Sequence, residues 1–223
     1  MRRSEINEAI RRAEDMLAVH NWALPDFARW TAADHAAHRD RSRWLADRQI
    51  GWDVTDFGSG DFDNRGLVLF CVRNGIFGQA GERPYAEKLL FVEVGQETPF
   101  HAHRMKLEDI IVRGGGTLCI EFTPEGAEVP LSGEPVGDTV RIDGAEIPAY
   151  GRIHRLTAGQ GITVPRGMQH RFWGEEAPVF VAEVSQCNDD RADNFFLEPI
   201  GRFSEIEEDE APHRLLWNEG GGR

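Results

Sequence analysis

Gly95-Gln96-Glu97-Thr98-Pro99-Phe100-His101-Ala102-His103-Arg104-Met105-Lys106-Leu107-Glu108 sets two histidines one residue apart. On an extended chain, alternate side chains point the same way, so the imidazoles of His101 and His103 converge. Glu108, five residues beyond His103 and across a bend, can return a carboxylate oxygen to the same point. Neutral imidazole with carboxylate suits a borderline or hard divalent metal. A second stretch, Gly159-Gln160-Gly161-Ile162-Thr163-Val164-Pro165-Arg166-Gly167-Met168-Gln169-His170-Arg171-Phe172-Trp173, reads as a strand, a Pro-x-Gly turn and a histidine opening the next strand. It supplies the fourth ligand, so the expected metal site is His101, His103, Glu108 and His170.

Around these stretches lie short apolar runs divided by Gly, Pro, Asn and Asp: residues 67–72, 88–94, 109–112, 117–122, 153–156, 161–164 and 179–184. Many short strands with regular turn signals predict a barrel or sandwich. Residues 123–151, rich in Gly, Pro and acid, read as a hairpin excursion from it. Ahead of the strands, Ile6, Ala9, Ile10, Ala13, Met16 and Leu17 recur at helical spacing behind a possible Ser4 cap, and Thr31 to Asp47 also favours helix. The expectation is an all-β-dominated, jelly-roll-like β-barrel in a single domain, 1–223. Helices decorate residues 1–49, the core spans 50–203, and an acidic extension, 204–223, reads as a solvated face or loop.

The chain has 223 residues, 40% hydrophobic and 28% charged, enough to bury a core. Its formal net charge of −13 repels phosphate backbones and anionic lipid, which argues against nucleic acid or membrane as partners. No apolar run approaches the roughly 18–20 residues of a membrane span, and Met1-Arg2-Arg3-Ser4-Glu5 lacks a signal-peptide core, so the cytoplasm is expected. Cys71, Cys119 and Cys187 form no CxxC pair and read as buried free thiols. His20, His35, His38, His154 and His213 fit neither stretch and are not expected to bind metal.

Together, Gly95, His101, His103, Glu108 and Gly115, then Gly159, Pro165, Gly167 and His170, resemble the two motifs of the cupin superfamily, G-x5-H-x-H-x4-E-x6-G and G-x5-P-x-G-x2-H. A cupin barrel alone selects no reaction. Beyond the motifs, four segments are similar to the cupin-type D-lyxose isomerase family: residues 52–62, 83–88, 108–116 and 188–190, followed by Asn194-Phe195-Phe196-Leu197-Glu198-Pro199-Ile200-Gly201-Arg202-Phe203. That resemblance implies a manganese-dependent aldose–ketose isomerase, active on D-lyxose and D-xylulose and often on D-mannose and D-fructose, and a homodimer. Co2+, Fe2+, Ni2+ or Zn2+ would also suit the ligands. The alternatives are a metal-dependent cupin dioxygenase and a sugar-binding cupin without catalysis.

For an acid or base, Lys88 and Glu183 stand out as charges in otherwise apolar strands, where burial needs a partner. Strand alternation alone does not say which face is inside. Asp189 and Asp190 either bind sugar hydroxyls or make a turn. Glu205 either folds back over the barrel mouth or stays solvated. Phe172 and Trp173 can floor a sugar site or simply fill the core.

Overall fold

Ile6, Ala9, Ile10, Ala13 and Leu17 form the buried face of helix α1, Arg3–Val19, in the computed structural model, which describes residues 1–220. The expected Ser4 cap is corrected: Arg2 occupies the cap position, and its N–H donates to the Glu5 carboxylate at 2.7 Å. Ser4 is drawn instead to Asp209, to which its N–H (2.8 Å) and hydroxyl (2.6 Å) both donate. The acidic run is thus an exposed loop whose carboxylates also dock on α1. Glu208 and Glu219 grip the buried Arg3 guanidinium, and Asn7 donates to Glu210. Unpaired N–H groups and the positive end of the helix dipole favour carboxylates there. Thr31 to Asp47 forms two helices, α2 (Ala32–Ala37) and α3 (Arg39–Asp47), because His38 between them leaves helical geometry at φ −115° and ψ 48°.

Eleven strands follow: β1 (Gly51–Thr55), β2 (Leu67–Arg73), β3 (Tyr85–Val92), β4 (Thr98–Ala102), β5 (Glu108–Thr123), β6 (Thr139–Ile142), β7 (Ala145–Pro148), β8 (Ile153–Leu156), β9 (Gly161–Val164), β10 (Gln169–Gln186) and β11 (Phe195–Phe196). All pairings between them are antiparallel, in the order β1-β2-β3-β10-β5-β9-β6-β7, with β4 on β10, β8 on β5 and β11 on β4. β6 and β7 are the expected hairpin of the 123–151 excursion, and β6 also pairs with β9.

The runs 109–112 and 117–122, expected as separate strands, are one continuous β5, and 179–184 is the far half of β10. Their shared register shifts between Glu175 and Val179, opposite the glycines of β5. Gly115 there has φ 89°, and a Cβ on it would lie 2.0 Å from the Pro178 carbonyl oxygen. The motif glycine thus lets two long strands bend together and serve both walls of the barrel.

The sheet is apolar on both faces because α1 covers one of them. Val68, Phe70, Leu89, Phe91, Phe180 and Ala182 pack with α1, whereas Leu67, Leu69, Leu90, Val92, Val179 and Val181 fill the barrel. Alternation then fixes Lys88 and Glu183 on the inner side, as register partners across β3 and β10. Cys71, Cys119 and Cys187 are free and buried. Among the described residues no helix is long and apolar enough to cross a membrane.

Candidate active site

β4 carries His101 opposite His170 of β10, His103 follows β4 directly, and Glu108 opens β5. The connecting loop is fastened from the far end of the chain. The Asp193 carboxylate accepts the N–H groups of Arg104 (2.8 Å), Met105 (2.9 Å) and Lys106 (3.3 Å), while its carbonyl accepts Nδ1–H of His103 at 2.5 Å. From the other side, Gly167 donates its N–H to the His103 carbonyl at 2.6 Å. Gly167 has φ 78°, and a Cβ there would meet the Glu128 carbonyl at 2.0 Å, which explains the second motif's glycine.

One ligand atom from each of His101, His103, Glu108 and His170 lies within 4.8 Å of the others, and all four residues are buried. The rings are held in one tautomer: Nδ1–H donates to the Pro99 carbonyl from His101 (2.8 Å) and to the Met168 carbonyl from His170 (3.1 Å), as His103 does to Asp193. Each ring therefore turns an Nε2 lone pair inward. His170 Nε2 and Glu108 Oε1 stand 3.1 Å apart, yet neither has a hydrogen-bond partner among the described residues. Two facing lone pairs in a buried site call for a cation between them, so the donor set fits a divalent metal.

Burial, joined by His170, depresses the proton affinity of His101 well below that of an ordinary imidazole; burial and then Lys106 do the same to His103. Both rings therefore stay neutral in the fold, while the unfolded chain takes up protons below about pH 6.5. Stability of the metal-free protein must then rise with pH through that window and fall on acidification. Between pH 7 and 5.5 the urea midpoint should drop, as the unfolding free energy falls with a slope approaching about 2.7 kcal/mol per pH unit for two rings. A midpoint unchanged over that range would contradict the assigned protonation states.

Beside the ligands runs a chain of alternating charges. Lys106 Nζ lies 2.6 Å from Glu108 Oε2 and 2.7 Å from Glu183 Oε1, and Lys88 Nζ lies 3.6 Å from the same Glu183 oxygen. Burial disfavours the charge on Glu108, but the Lys106 ammonium outweighs it and holds the carboxyl well below its usual range. For Lys106, burial is likewise overcome by Glu108 and Glu183, which keep the ammonium charged. Further along, Lys88 donates to Asn188 Oδ1 and lies 4.0 Å from Asp190, which faces Arg202 at 3.3 Å. Burial opposes the Asp190 charge; Arg202 and Lys88 prevail and lower its pKa.

Lys88, Lys106, Glu108, Glu183, Asp190 and Arg202 line one cavity. Lys88, Glu183 and Asp190 are brought to it together with the four ligands. Asp189 is not: its carboxylate accepts from Gln49 (3.0 Å) and Arg191 N–H (3.1 Å), the turn role open to that residue. Glu205 is not either. Its side chain is exposed, and its carbonyl accepts the Met1 ammonium, so docking of the tail on α1 takes it away from the barrel mouth. Phe172 lines the cavity and Trp173 does not. Among the other histidines, His154 donates from Nε2 to the Ala149 carbonyl, His213 pairs with Glu14, and His38 stacks on Trp30. Sequence reasoning missed Lys106, Asn194, Arg202 and Phe57. Lys106 was visible as a cation between two ligands of the first motif, whereas nothing local marks the others.

A family model for D-lyxose isomerase matches residues 1–220. The chain belongs to the D-lyxose isomerase family. This family of sugar isomerases includes the D-lyxose/D-mannose isomerase of Serratia proteamaculans, 41% identical over 98% of this chain and 97% of that protein. The D-lyxose/D-mannose isomerase of Escherichia coli O157:H7 is 39% identical over 98% of each. The fold of this D-lyxose isomerase family member also matches the L-ribose isomerase of Cellulomonas parahominis with L-ribose, at TM-score 0.64, 18% identity and coverage of 93% and 98%. The L-ribose isomerase of Acinetobacter sp. DL28 in complex with L-ribose matches at 0.61, with the same identity and coverage. The β-dominated cupin-type barrel with N-terminal helices is thus as the sequence led us to expect.

Proposed function

We propose that the chain is a metal-dependent aldose–ketose isomerase that interconverts D-lyxose with D-xylulose and D-mannose with D-fructose, using Mn2+ held by His101, His103, Glu108 and His170. One observation carries this reading: a buried three-histidine, one-carboxylate cluster whose Glu108 Oε1 and His170 Nε2 have no hydrogen-bond partner among the described residues, in a chain whose family is that of the D-lyxose isomerases. Family membership favours it over a dioxygenase or a non-catalytic binder. When bound, a divalent cation supplies a Lewis acid that polarises the sugar carbonyl and favours negative charge on the neighbouring oxygens.

The remaining work falls to the protein. Glu183 is the base: Oε1 is occupied by Lys106 (2.7 Å) and Ser185 (3.0 Å), while Oε2 accepts no hydrogen bond among the described residues and is the atom that takes the C2 proton of the aldose and returns it at C1. Lys106 fixes the spacing of Glu183 and Glu108 by binding both. Lys88, held by Asn188 and Asp190, presents an ammonium to the sugar oxygens, and Asp190 with Arg202 receives hydroxyls further along the chain. The apolar residues of the cavity exclude water from the reacting carbons.

Removal of metal with a chelator should abolish ketose formation from D-lyxose, and titrating back one cation at a time should restore it, Mn2+ most fully. Turnover that persists in the metal-free protein, or oxygen uptake in place of ketose formation, would overturn the proposal. We also propose that the protein is a cytoplasmic homodimer, on the strength of the family resemblance; sedimentation equilibrium tests the dimer.

A further inference from the structure

Phe57 has a φ of 55°, in the left-handed region where a bulky side chain crowds its own backbone. Such a conformation persists only where the surroundings over-determine it. Here they do. Asp56 accepts the N–H groups of Gly58 and Gly60, both at 3.0 Å, and the Ser204 hydroxyl at 2.5 Å, while Ser204 Oγ accepts the N–H of Asp56 at 2.8 Å. Phe57 N–H donates to Thr55 Oγ1 at 2.9 Å, and that hydroxyl donates to the Arg202 carbonyl at 2.8 Å. Two segments far apart in sequence thus clasp the turn, and the result is a buried aromatic ring in the cavity wall.

The ring has a definite place along the cavity. Phe57 meets Phe196 edge-on, with centroids 5.7 Å apart and planes at 67°, and Phe196 in turn lies 6.1 Å from His101. His101, Phe196 and Phe57 therefore step away from the ligand cluster. An open-chain aldose with its first two oxygens at that cluster brings its last carbons to Phe57. The same cavity holds an unpaired donor, since Arg202 Nη1 is buried without a hydrogen-bond partner among the described residues, and the Arg202 carbonyl is tied to Thr55, two residues before Phe57. An apolar wall beside one free donor recognises a terminal hydroxymethyl group, its C–H bonds on the ring and its oxygen on the guanidinium.

We propose that Phe57 is a specificity-determining residue: its clasped ring limits chain length at the end remote from the metal ligands and so sets the balance between five- and six-carbon aldoses. This rests on the isomerase reading above and deepens it. Loss of the ring opens room for one more hydroxymethyl, and one such group in a fitted pocket is worth roughly 10-fold or more in discrimination.

The test compares kcat/KM for D-lyxose and D-mannose in wild type, Phe57→Ala and Phe57→Leu, with inhibition constants for D-arabinitol and D-mannitol as a readout independent of turnover. The expected result is a rise in the mannose-to-lyxose ratio of about tenfold or more for Phe57→Ala, a smaller rise for Phe57→Leu, relatively tighter mannitol binding, and unchanged metal content. Should Phe57→Ala fail to fold, Phe57→Leu and Ser204→Ala, which loosens the clasp, carry the same comparison. Equal losses on both sugars, or a ratio that moves less than about twofold, overturn the inference. Wild-type protein inert toward both sugars defeats the isomerase reading and this inference with it, an outcome distinct from an active enzyme whose ratio does not move.

Discussion

Replacing His103 with alanine should remove the bound metal and lower D-lyxose turnover by at least about 10³-fold, or about 4 kcal/mol of transition-state stabilisation. Two losses combine. One of four converging ligand atoms disappears, and the Asp193 carbonyl that oriented it at 2.5 Å loses its donor. What remains, two imidazoles and a carboxylate, holds a divalent cation far more weakly, because each ligand was positioned for a closed set. Plasma mass spectrometry of the purified variant measures the metal, and ketose formation measures the rate. Circular dichroism should show the barrel intact, since the histidine contributes little apolar burial. A metal-free His103→Ala protein with full activity would remove the basis for metal chemistry at this site.

The convergence of His101, His103, Glu108 and His170 was legible because its geometry is local: His-x-His at the end of a strand and Pro-x-Gly before His170 place side chains by period and turn alone. Two of the four motif glycines proved to be steric requirements, Gly115 against the Pro178 carbonyl and Gly167 against that of Glu128. Lys88 and Glu183 were legible as anomalies, charges in apolar strands, but their side of the sheet was not, because α1 makes the outer face as apolar as the inner one. Resolving it needs the tertiary packing of α1, a helix far earlier in the chain than either residue. Asp193 and Ser204 were illegible for a similar reason. Each acts on a loop or turn far away in sequence, and a polar residue in a turn-rich stretch carries no sign of its partner. The docking of the acidic run was illegible because its charge density suits solvent equally well, and only the N–H groups at the start of α1 gave it somewhere to dock.

Glu183→Gln should lower kcat by about 10³-fold while leaving metal content and KM nearly unchanged. The substitution preserves shape, and its amide oxygen can still accept from Lys106 and Ser185, as Oε1 does now at 2.7 and 3.0 Å. Lys106 keeps its 2.6 Å pairing with Glu108, so no buried cation is stranded and the several-kcal/mol cost of breaking a buried pair outright is avoided. What is lost is the ability to take a proton from carbon at the free oxygen. A rate effect without a binding effect is the signature of an interaction used only on the way to the transition state. The complementary measurement is isomerisation in D2O: a proton route through Glu183 places solvent deuterium on the ketose at C1, whereas a direct hydride shift carries the substrate hydrogen across. If Glu183→Gln keeps kcat within about threefold of wild type and the product holds no solvent deuterium, hydrogen moves between the carbons directly, and Glu183 serves only to hold Lys106 against Glu108.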